Sequence, residues 1–360
     1  MVTIQDVADR AGVSISTVSN VLTKKKFVSE PLQKRVYEAI RELDYVVDSV
    51  ASNMKRGYTK TIGVITSDIC GLFYPYVLKG IYEVISQYGY SLTIYDSHVQ
   101  GNETGLEKET ECFSHLFSNR VDGVIFVSNI PRKKEREYLK KLNREACRLK
   151  TTPLVSIERN FSQYGIDSVY HDNVKAARMA VTHLIESGCR NIAHISGPEG
   201  EQIPDDRRRG YVEALKASRM KVDLKNRIAY GDYSHQSGYL AMEQLLETGV
   251  PVDGVYIAND QMAIGAMKLL KEKGIRVPDQ MKIIGSDDVF MASMMEPSLS
   301  TVHIKKKTMG KRAAEILLQR IAEKEGEERQ ETIAEEMETK LVVRRSTGQA
   351  IPEQESLMDW

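Results

Sequence analysis

Beyond Thr61 the sequence alternates short apolar runs with stretches of helical periodicity, and this alternation strongly constrains the fold. The apolar runs are TIGVITSD, SLTIYD, DGVIFVS, PLVSIE, NIAHIS, RIAYGD, DGVYIAND and MKIIGSDD. The spacing of apolar residues between them predicts helices over 75–88, 104–119, 173–188, 207–218, 236–247 and 261–273. Strands that alternate with helices are typical of a parallel α/β sheet. Because the segment is too long for one small core, we expect two such sheets.

Polar side chains follow many of these apolar runs, at the points where the predicted strands end. They are Asp68, Asp96, Ser128, Asn129, Glu158, Asn259, Asp260, Asp287 and Asp288. Ligands of open α/β sheets bind at the carboxyl ends of the strands. Any one of these residues also fits a structural role, since strand ends need turn and capping side chains. So many acids and amides at equivalent positions indicate a site for a polar ligand.

Residues 1 to about 58 show a different pattern, with three short amphipathic helices. Thr3, Ser14 and Ser29 are placed to cap these helices, and Gly12 interrupts the pattern between the first two. Two helices joined by a tight turn and followed by a supporting helix form a helix-turn-helix. The sequence therefore predicts an all-α helix-turn-helix head before the α/β body.

The second helix of this head, within VSISTVSNVL, carries no charge and many small hydroxyl side chains. In a helix-turn-helix this helix lies in the major groove, where small polar side chains let it approach the base edges. Asn20 is suited to pairing with adenine, and Ile15 to contacting a thymine methyl group. The candidate DNA contacts of the head are Thr3, Ser14, Ile15, Ser16, Thr17, Asn20 and Lys24. The alternative interpretation is a small helical bundle that contacts other proteins.

The charge distribution also favours a head that faces nucleic acid, although the whole chain is neutral. Residues 1–60 hold ten Lys and Arg against seven Asp and Glu, whereas the remaining residues hold 40 against 43. A basic head on a slightly acidic body has the sign expected for DNA binding.

Other motifs are missing from the sequence, and their absence narrows the function. The four cysteines are scattered singly, which predicts free thiols rather than a zinc site. An apolar signal core and any run of about 18 apolar residues are lacking, so we expect a cytoplasmic protein without a membrane partner. Hydrolase, zinc-protease and phosphate-loop motifs are also lacking. We therefore expect no enzyme activity, no cofactor and no metal ion.

The head resembles the DNA-binding head of the lactose-repressor (LacI/GalR) family in the run TIQDVADRAGVSISTVSNVL and in FVSEPLQKRVYEAIRELDY. The following VVDSVASNMKRG resembles the hinge segment of that family. This resemblance implies a short helix that inserts an apolar side chain into the minor groove, and Met54 occupies the inserting position. It also implies hinge contacts to DNA from Val50, Ala51 and Lys55.

The body resembles the effector domain of the same family, which is similar to periplasmic sugar-binding proteins. The segments that carry this resemblance are GCRNIAHISGP, RRRGYVEAL, IANDQMAIGAMKLLKEKGIRVPDQMKIIGSDDV and PSLSTVH. The implied effector-binding residues are Phe73, Tyr74, Ser128, Glu158, Arg207, Tyr233, Asn259 and Asp287. Arg208 and Arg209 are the neighbouring alternatives to Arg207. Asp, Asn and Arg side chains bond vicinal hydroxyls, and an aromatic ring packs on a sugar face.

The resemblance also implies the domain organisation. We expect a head over 1–47, a hinge over 48–59, an effector-binding and dimerisation domain over 60–346 and a mobile tail over 347–360. Its two lobes are expected at 61–161 plus 290–322 and at 162–289 plus 325–346, with crossings near 159–164, 289–292 and 320–325. The charged residues 323–340 are expected to form a loop or exposed helix end. The tail lacks leucine heptads, which favours a homodimer over a tetramer.

Together these features predict a homodimeric repressor of a carbohydrate-utilisation operon, bound to a pseudopalindromic double-stranded operator and controlled by a small sugar. A second hypothesis is a global catabolite regulator whose corepressor is a phosphorylated carrier protein. A third, from another class, is a sugar-binding or hydrolytic α/β protein with an accessory head.

Overall fold

The computed structural model describes residues 2–23, 26–45, 58–97, 105–148, 151–323 and 331–348. The chain divides into a head that ends at Thr59 and a body that begins at Lys60. The predicted DNA contacts Lys24, Val50, Ala51, Met54 and Lys55 lie outside the described residues, as do most of the hinge and residues 349–360 of the tail. Within the described ranges, we find no helix with the length and apolar character needed to span a bilayer.

The head consists of three helices, α1 (Ile4–Ala11), α2 (Ile15–Thr23) and α3 (Glu30–Glu42). The Thr3 hydroxyl accepts a hydrogen bond from the backbone N–H of Asp6 at 3.3 Å, and the Asp6 carboxylate accepts one from the backbone N–H of Thr3 at 2.7 Å. This reciprocal pair fixes the start of α1. Gly12 ends the helix with a φ of 61°, a conformation that glycine adopts at little cost. The predicted helix-turn-helix is confirmed.

A small apolar core holds these three helices together. Its buried members are Val7, Ala8, Ala11, Val18, Val21, Val36 and Ala39. One prediction for the head is wrong, because Ser29 stands at the N-cap position of α3 without a capping hydrogen bond from its side chain. Pro31 lies in the first turn of α3, where its missing N–H costs little.

The strands of the body are β1 (Thr61–Thr66), β2 (Ser91–Asp96), β3 (Gly123–Phe126), β4 (Leu154–Glu158), β5 (Asp167–Tyr170), β6 (Ile192–Ser196), β7 (Ile228–Tyr230), β8 (Gly254–Ile257), β9 (Lys282–Ile284), β10 (Thr301–Ile304), β11 (Ala334–Glu336) and β12 (Thr339–Val342). The helices are α4 (Tyr74–Ile85), α5 (Gly105–Ser118), α6 (Arg132–Ala146), α7 (Asn173–Glu186), α8 (Gln202–Ala217), α9 (Leu224–Arg227), α10 (His235–Glu247), α11 (Asp260–Glu272), α12 (Phe290–Met294) and α13 (Lys306–Ala322). All eight strands and all six helices that the sequence predicts are present.

The strands form two parallel sheets, as predicted. The larger sheet has the order β11-β5-β4-β3-β1-β2, and the smaller has the order β7-β6-β8-β9. Each sheet is covered by its own apolar clusters, so each is the centre of a separate lobe. We call the lobe built on the larger sheet lobe one and the lobe built on the smaller sheet lobe two. β10 and β12 form an antiparallel pair beside lobe two.

The boundaries between the lobes differ from those expected from the sequence. β5 pairs with β4, which places residues up to 170 in lobe one. Ala292 and Leu299 pack in the core of lobe two, and α13 packs in the core of lobe one, so the second crossing lies near residue 305. β11 joins the sheet of lobe one and β12 pairs with β10, which places the third crossing near residue 338.

These differences have a simple physical origin. β5 is only four residues long and β11 reads AEE, so neither has the apolar run that identifies a strand in sequence. The segment expected as a charged loop or helix end over 323–340 therefore contains an edge strand, since an edge strand needs only one partner.

Glycines allow pairs of helices to pack closely in both lobes. A Cβ atom at Gly310 of α13 would overlap the carbonyl oxygen of Val77 in α4. In lobe two, a Cβ atom at Gly265 of α11 would overlap the carbonyl oxygen of His235 in α10. Each lobe therefore contains one closely packed helix pair, α4 with α13 in lobe one and α10 with α11 in lobe two.

Candidate functional site

A cavity of about 710 Å³ lies between the two lobes, at the carboxyl ends of the strands of both sheets. Its size is that of a pocket for a small molecule. Seven of the eight predicted effector-binding residues line it: Phe73, Tyr74, Glu158, Arg207, Tyr233, Asn259 and Asp287. Each lobe contributes part of this lining, so a molecule in the cavity would contact both lobes.

On the lobe-one side, Glu158 ends β4 with its side chain buried beside Tyr74. The Tyr74 hydroxyl donates a hydrogen bond to Glu158 Oε2 at 2.5 Å and accepts one from Ser67 Oγ at 2.9 Å. Burial raises the pKa of Glu158 above its usual range, and the hydrogen bond from Tyr74 opposes this rise. The other carboxylate oxygen of Glu158 is thereby held in place for a ligand hydroxyl.

On the lobe-two side, Arg207 projects from α8 and is 4% exposed. Its Nε donates to Asn173 Oδ1 at 2.9 Å, and its Nη1 donates to the carbonyl oxygen of Ala258 at 2.5 Å. Its Nη2 lies 4.0 Å from Asp287 Oδ1. Burial raises the pKa of Asp287, and the charge of Arg207 opposes that rise. The guanidinium of Arg207 and the carboxylate of Asp287 can therefore form hydrogen bonds to two adjacent hydroxyl groups of a ligand.

The burial of the three consecutive arginines shows which of them faces the cavity. Arg208 and Arg209 form ion pairs with Asp205 and Asp206 one turn earlier, and their side chains are 39% and 50% exposed. Neither lines the cavity, whereas Arg207 does. The residue predicted first is therefore the one that faces the site.

Asn259 and Tyr233 complete the polar and aromatic lining. Asn259 caps α11, since its Oδ1 accepts from the backbone N–H of Met262 at 2.9 Å, and its Nδ2 donates to the carbonyl oxygen of Tyr233 at 3.1 Å. The backbone φ angles of Glu158, Tyr233 and Asp287 are 68°, 72° and 109°. Residues other than glycine avoid positive φ, and such strain is concentrated at functional sites. Three strained residues therefore converge on one cavity.

A hydrogen bond at the cavity joins the loop after β1 in lobe one to α11 in lobe two. The backbone N–H of Leu72 donates to Gln261 Oε1 at 3.2 Å, and the Leu72 side chain packs against the core of lobe two. Gln261 also lines the cavity. The loop that follows β1 therefore links the two lobes at the site.

Ser128 is the one predicted effector-binding residue that the structure does not bring to the cavity. It is 1% exposed, its Oγ accepts from the backbone N–H of Ile130 at 3.3 Å, and its carbonyl oxygen accepts from Arg159 at 2.9 Å. Successive residues point to opposite sides where a strand ends. Asn129 therefore lines the cavity instead.

Asp68, one of the strand-end residues that indicated a polar site, also lines the cavity. Three acidic residues of the lining were not predicted: Glu109, Glu201 and Asp232. Glu109 lies within α5 and Glu201 precedes α8, where a single acid looks like any exposed helix residue. Only the packing of the two lobes brings them to the site.

A buried lysine lies directly behind Asp287. The sequence suggests that Lys305, Lys306 and Lys307 are a solvated helix start, but Lys306 is 3% exposed. Its Nζ donates to the carbonyl oxygens of Asp287, Asp288 and Ile304. It satisfies the backbone at the strained turn that presents Asp287, which is a structural role.

In the head, α2 presents the predicted DNA contacts on its outer side. Ser14 and Ser16 are exposed, Ile15 is 44% exposed, and Thr17 and Asn20 are half-buried. Val18 and Val21 anchor the opposite side of the helix in the core. Ser14 Oγ accepts from the backbone N–H of Thr17 at 3.2 Å, which caps α2 as predicted. Thr3 is exposed at the start of α1.

Among the described residues, no group of three or more His, Cys, Asp or Glu side chains is placed to bind a metal ion.

Comparison with known proteins identifies both parts of the chain. Residues 3–48 match the model of bacterial regulatory proteins of the lacI family, and residues 181–347 match a periplasmic binding protein-like domain. The chain is 33% identical to the ribose operon repressor of Halalkalibacterium halodurans, over 96% of this chain and 97% of that protein. It is 34% identical to the HTH-type transcriptional repressor PurR of Vibrio atlanticus, over 91% of this chain and 95% of that protein.

A solved structure shows the same architecture. The chain is similar to a Lac repressor dimer bound to operator and the anti-inducer ONPF, with a TM-score of 0.81 and 26% identity over 96% of this chain and 99% of that one. These relatives are regulators that bind DNA rather than enzymes. The chain therefore belongs to the lacI family of bacterial regulatory proteins, and it is a DNA-binding transcriptional regulator.

Proposed function

We propose that this protein is a homodimeric, cytoplasmic repressor of a carbohydrate-utilisation operon, and that a small polyhydroxylated ligand in the interlobe cavity controls its affinity for a pseudopalindromic operator. The observation that carries the ligand class is the lining of the cavity. Glu158, Arg207 and Asp287 offer paired acceptors and donors to adjacent hydroxyl groups, and Tyr233 offers a ring face to an apolar sugar face. The names of the ribose operon repressor and the Lac repressor support this choice of ligand class.

The proposed functions are assigned separately to the head and the body of the chain. Residues 1–47 bind DNA, residues 48–59 connect, and the body binds the effector and dimerises. The solved Lac repressor dimer on its operator supports the dimer and the DNA partner. Val50, Ala51, Met54, Lys24 and Lys55 belong to the proposed DNA contacts through the resemblance of their segments alone.

The proposed control works through the angle between the lobes. A ligand that is bonded to Glu158 of lobe one and to Asn259 and Asp287 of lobe two has all its contacts only when the lobes are closed. It therefore binds the closed state more tightly and shifts the population towards it. The bond between Leu72 and Gln261 belongs to the closed arrangement.

Asn20→Ala is expected to weaken operator binding by about tenfold to a hundredfold, because a bidentate contact to a base contributes about 1–3 kcal/mol of discrimination. Fluorescence anisotropy with a labelled operator at fixed salt measures the change, since phosphate contacts make affinity strongly dependent on salt.

Two comparisons make this experiment specific. A scrambled duplex should bind the variant and the wild type equally, because phosphate contacts remain. The variant should also bind sugar in the body as the wild type does. Equal operator affinity of the two proteins would show that α2 does not read the operator. If no sugar binds the wild-type body in calorimetric titration, the proposed ligand class is wrong.

A further inference from the structure

The cavity has an excess of acidic groups that hydroxyl recognition does not require. Its lining includes Asp68, Glu109, Glu158, Glu201, Asp232 and Asp287, whereas Arg207 is the one Arg or Lys among the described lining residues. The guanidinium of Arg207 already bonds Asn173 and Ala258 and faces Asp287. The positive charge of Arg207 is therefore already balanced by Asp287, while its Nη2 can still donate to a ligand hydroxyl.

Four of the six carboxylates also have a partner within the protein. Asp68 accepts from the backbone N–H of Cys70 at 3.0 Å, and Asp232 accepts from that of Ser234 at 2.9 Å. Glu158 accepts from Tyr74, and Asp287 faces Arg207. These four carboxylates shape turns and position the groups described above.

The remaining two are Glu109 and Glu201. Glu109 is 2% exposed; burial raises its pKa and hydrogen bonding from Ser128, Tyr138 and the backbone of Asn129 opposes that rise, yet its Oε1 has no hydrogen-bond partner among the described residues. Glu201 is the N-cap residue of α8, yet its side chain makes no capping hydrogen bond. A buried carboxylate oxygen without a partner is costly, so its position at a cavity wall indicates a group that enters from the cavity.

The two carboxylates come from opposite lobes, Glu109 from α5 and Glu201 from the start of α8. Both lie within electrostatic reach of Arg159, whose guanidinium is buried and already paired with Glu135 at 2.5 Å. Burial raises the pKa of each carboxyl to about 7, so each ionises readily once a cation is beside it. A metal ion does not fit, because the described acids do not form a metal-binding group.

We propose that the effector carries a protonated amino group, bound by Glu109 and Glu201, in addition to the hydroxyls bound near Arg207. The effector is then an amino sugar or another amine-bearing polyol. This inference rests on the proposed function, since it specifies the charge of the ligand of the same cavity. The same arrangement disfavours sugar phosphates and sugar acids, because an anion would meet six carboxylates of the lining and one guanidinium that already faces Asp287.

The test is calorimetric titration of the full-length protein with matched sets of sugars. Each set contains a hexose, its 2-amino-2-deoxy counterpart and its 6-phosphate, in the gluco, galacto and manno configurations. In at least one configuration, the amino sugar is expected to bind at least tenfold more tightly than the neutral hexose, and the phosphate more weakly than both.

Charge-removing variants assign the preference to the two carboxylates. Glu109→Gln and Glu201→Gln should each reduce the ratio of amino-sugar affinity to neutral-hexose affinity by about tenfold, since a charge-assisted hydrogen bond becomes a neutral one. Glu199→Gln is the control, because Glu199 lies in the same loop as Glu201 but is exposed and outside the cavity lining. Thermal unfolding of all three variants verifies that each is folded.

The outcomes separate this inference from the function on which it rests. If neutral hexoses or phosphates bind as tightly as the amino sugars in every configuration, the inference fails and a sugar-responsive regulator remains. If no compound of any charge binds, the proposed ligand class fails and this inference fails with it.

Discussion

Arg320→Met is expected to lower the free energy of unfolding of the body by about 3–5 kcal/mol, the usual cost of leaving one charge of a buried ion pair without its partner. Arg320 of α13 donates to Asp167 of β5 at 2.8 Å and 3.0 Å, and the two side chains are 3% and 1% exposed. In the variant, Asp167 would keep only the backbone N–H of Ile333, at 2.7 Å. The pair joins β5 and the segment before β11 to α13, so its loss loosens the outer edge of lobe one.

Arg312→Met is the matched control, since Arg312 lies on the same helix and pairs with Glu335 of β11 at 2.8 Å. Its side chain is 41% exposed, and an ion pair in contact with water contributes about 0–1 kcal/mol. Urea denaturation of the full-length variants gives both changes in free energy. Similar losses in the two variants, or a loss below about 1 kcal/mol for Arg320→Met, would contradict the assigned role of burial.

Arg207→Met is expected to weaken effector binding by at least about a hundredfold, or about 2.8 kcal/mol, while operator binding without effector is unchanged. The substitution removes the hydrogen bonds that the Arg207 guanidinium donates to ligand hydroxyls. It also removes the positive charge that faces Asp287. Arg207→Lys should lose most of the affinity as well, because an ammonium group cannot contact Asn173 and Ala258 together in the geometry of a guanidinium.

Arg208→Met provides the control, because it removes the same charge one residue later from a side chain outside the cavity. It should leave effector affinity unchanged in the same titration, and circular dichroism should show that both variants are folded. Equal effects of the two substitutions would mean that the ligand is held by long-range attraction to the positive charges of α8. Direct hydrogen bonds from Arg207 would then not account for its affinity.

Much of the fold can be predicted from the sequence because most of its strands are clear apolar runs. Most of the eight predicted strands are apolar runs that are buried on both faces, as in β1 and β3, whereas β2 at the edge of its sheet is only half-buried. β5 was missed because it is only four residues long, and β11 because an edge position removes the need for an apolar run. Without them the lobe boundaries were displaced by up to about 15 residues.

The site was predictable where it lies at strand ends. Glu158 ends β4, and Asn259 and Asp287 lie shortly after the ends of β8 and β9, so topology alone places them at the carboxyl edges of the sheets. The prediction of Ser128 was wrong by one residue, because Asn129 lines the cavity instead. The local backbone decides to which side a side chain points after a strand ends. Glu109 and Glu201 reach the cavity from helices in different lobes, and no local pattern encodes that approach.

In the proposed mechanism, a ligand bound in the cavity changes the affinity of the head for the operator, and the bound operator changes the affinity of the cavity for the ligand. The most direct measurement is the affinity of the full-length protein for a pseudopalindromic operator from its own promoter region, at fixed salt, with and without saturating sugar. A shift of about tenfold or more, a coupling of about 1.4 kcal/mol, is predicted, and the operator must then change sugar affinity by the same factor. Tight operator binding that no sugar shifts, with sugar bound in the cavity, would contradict the account.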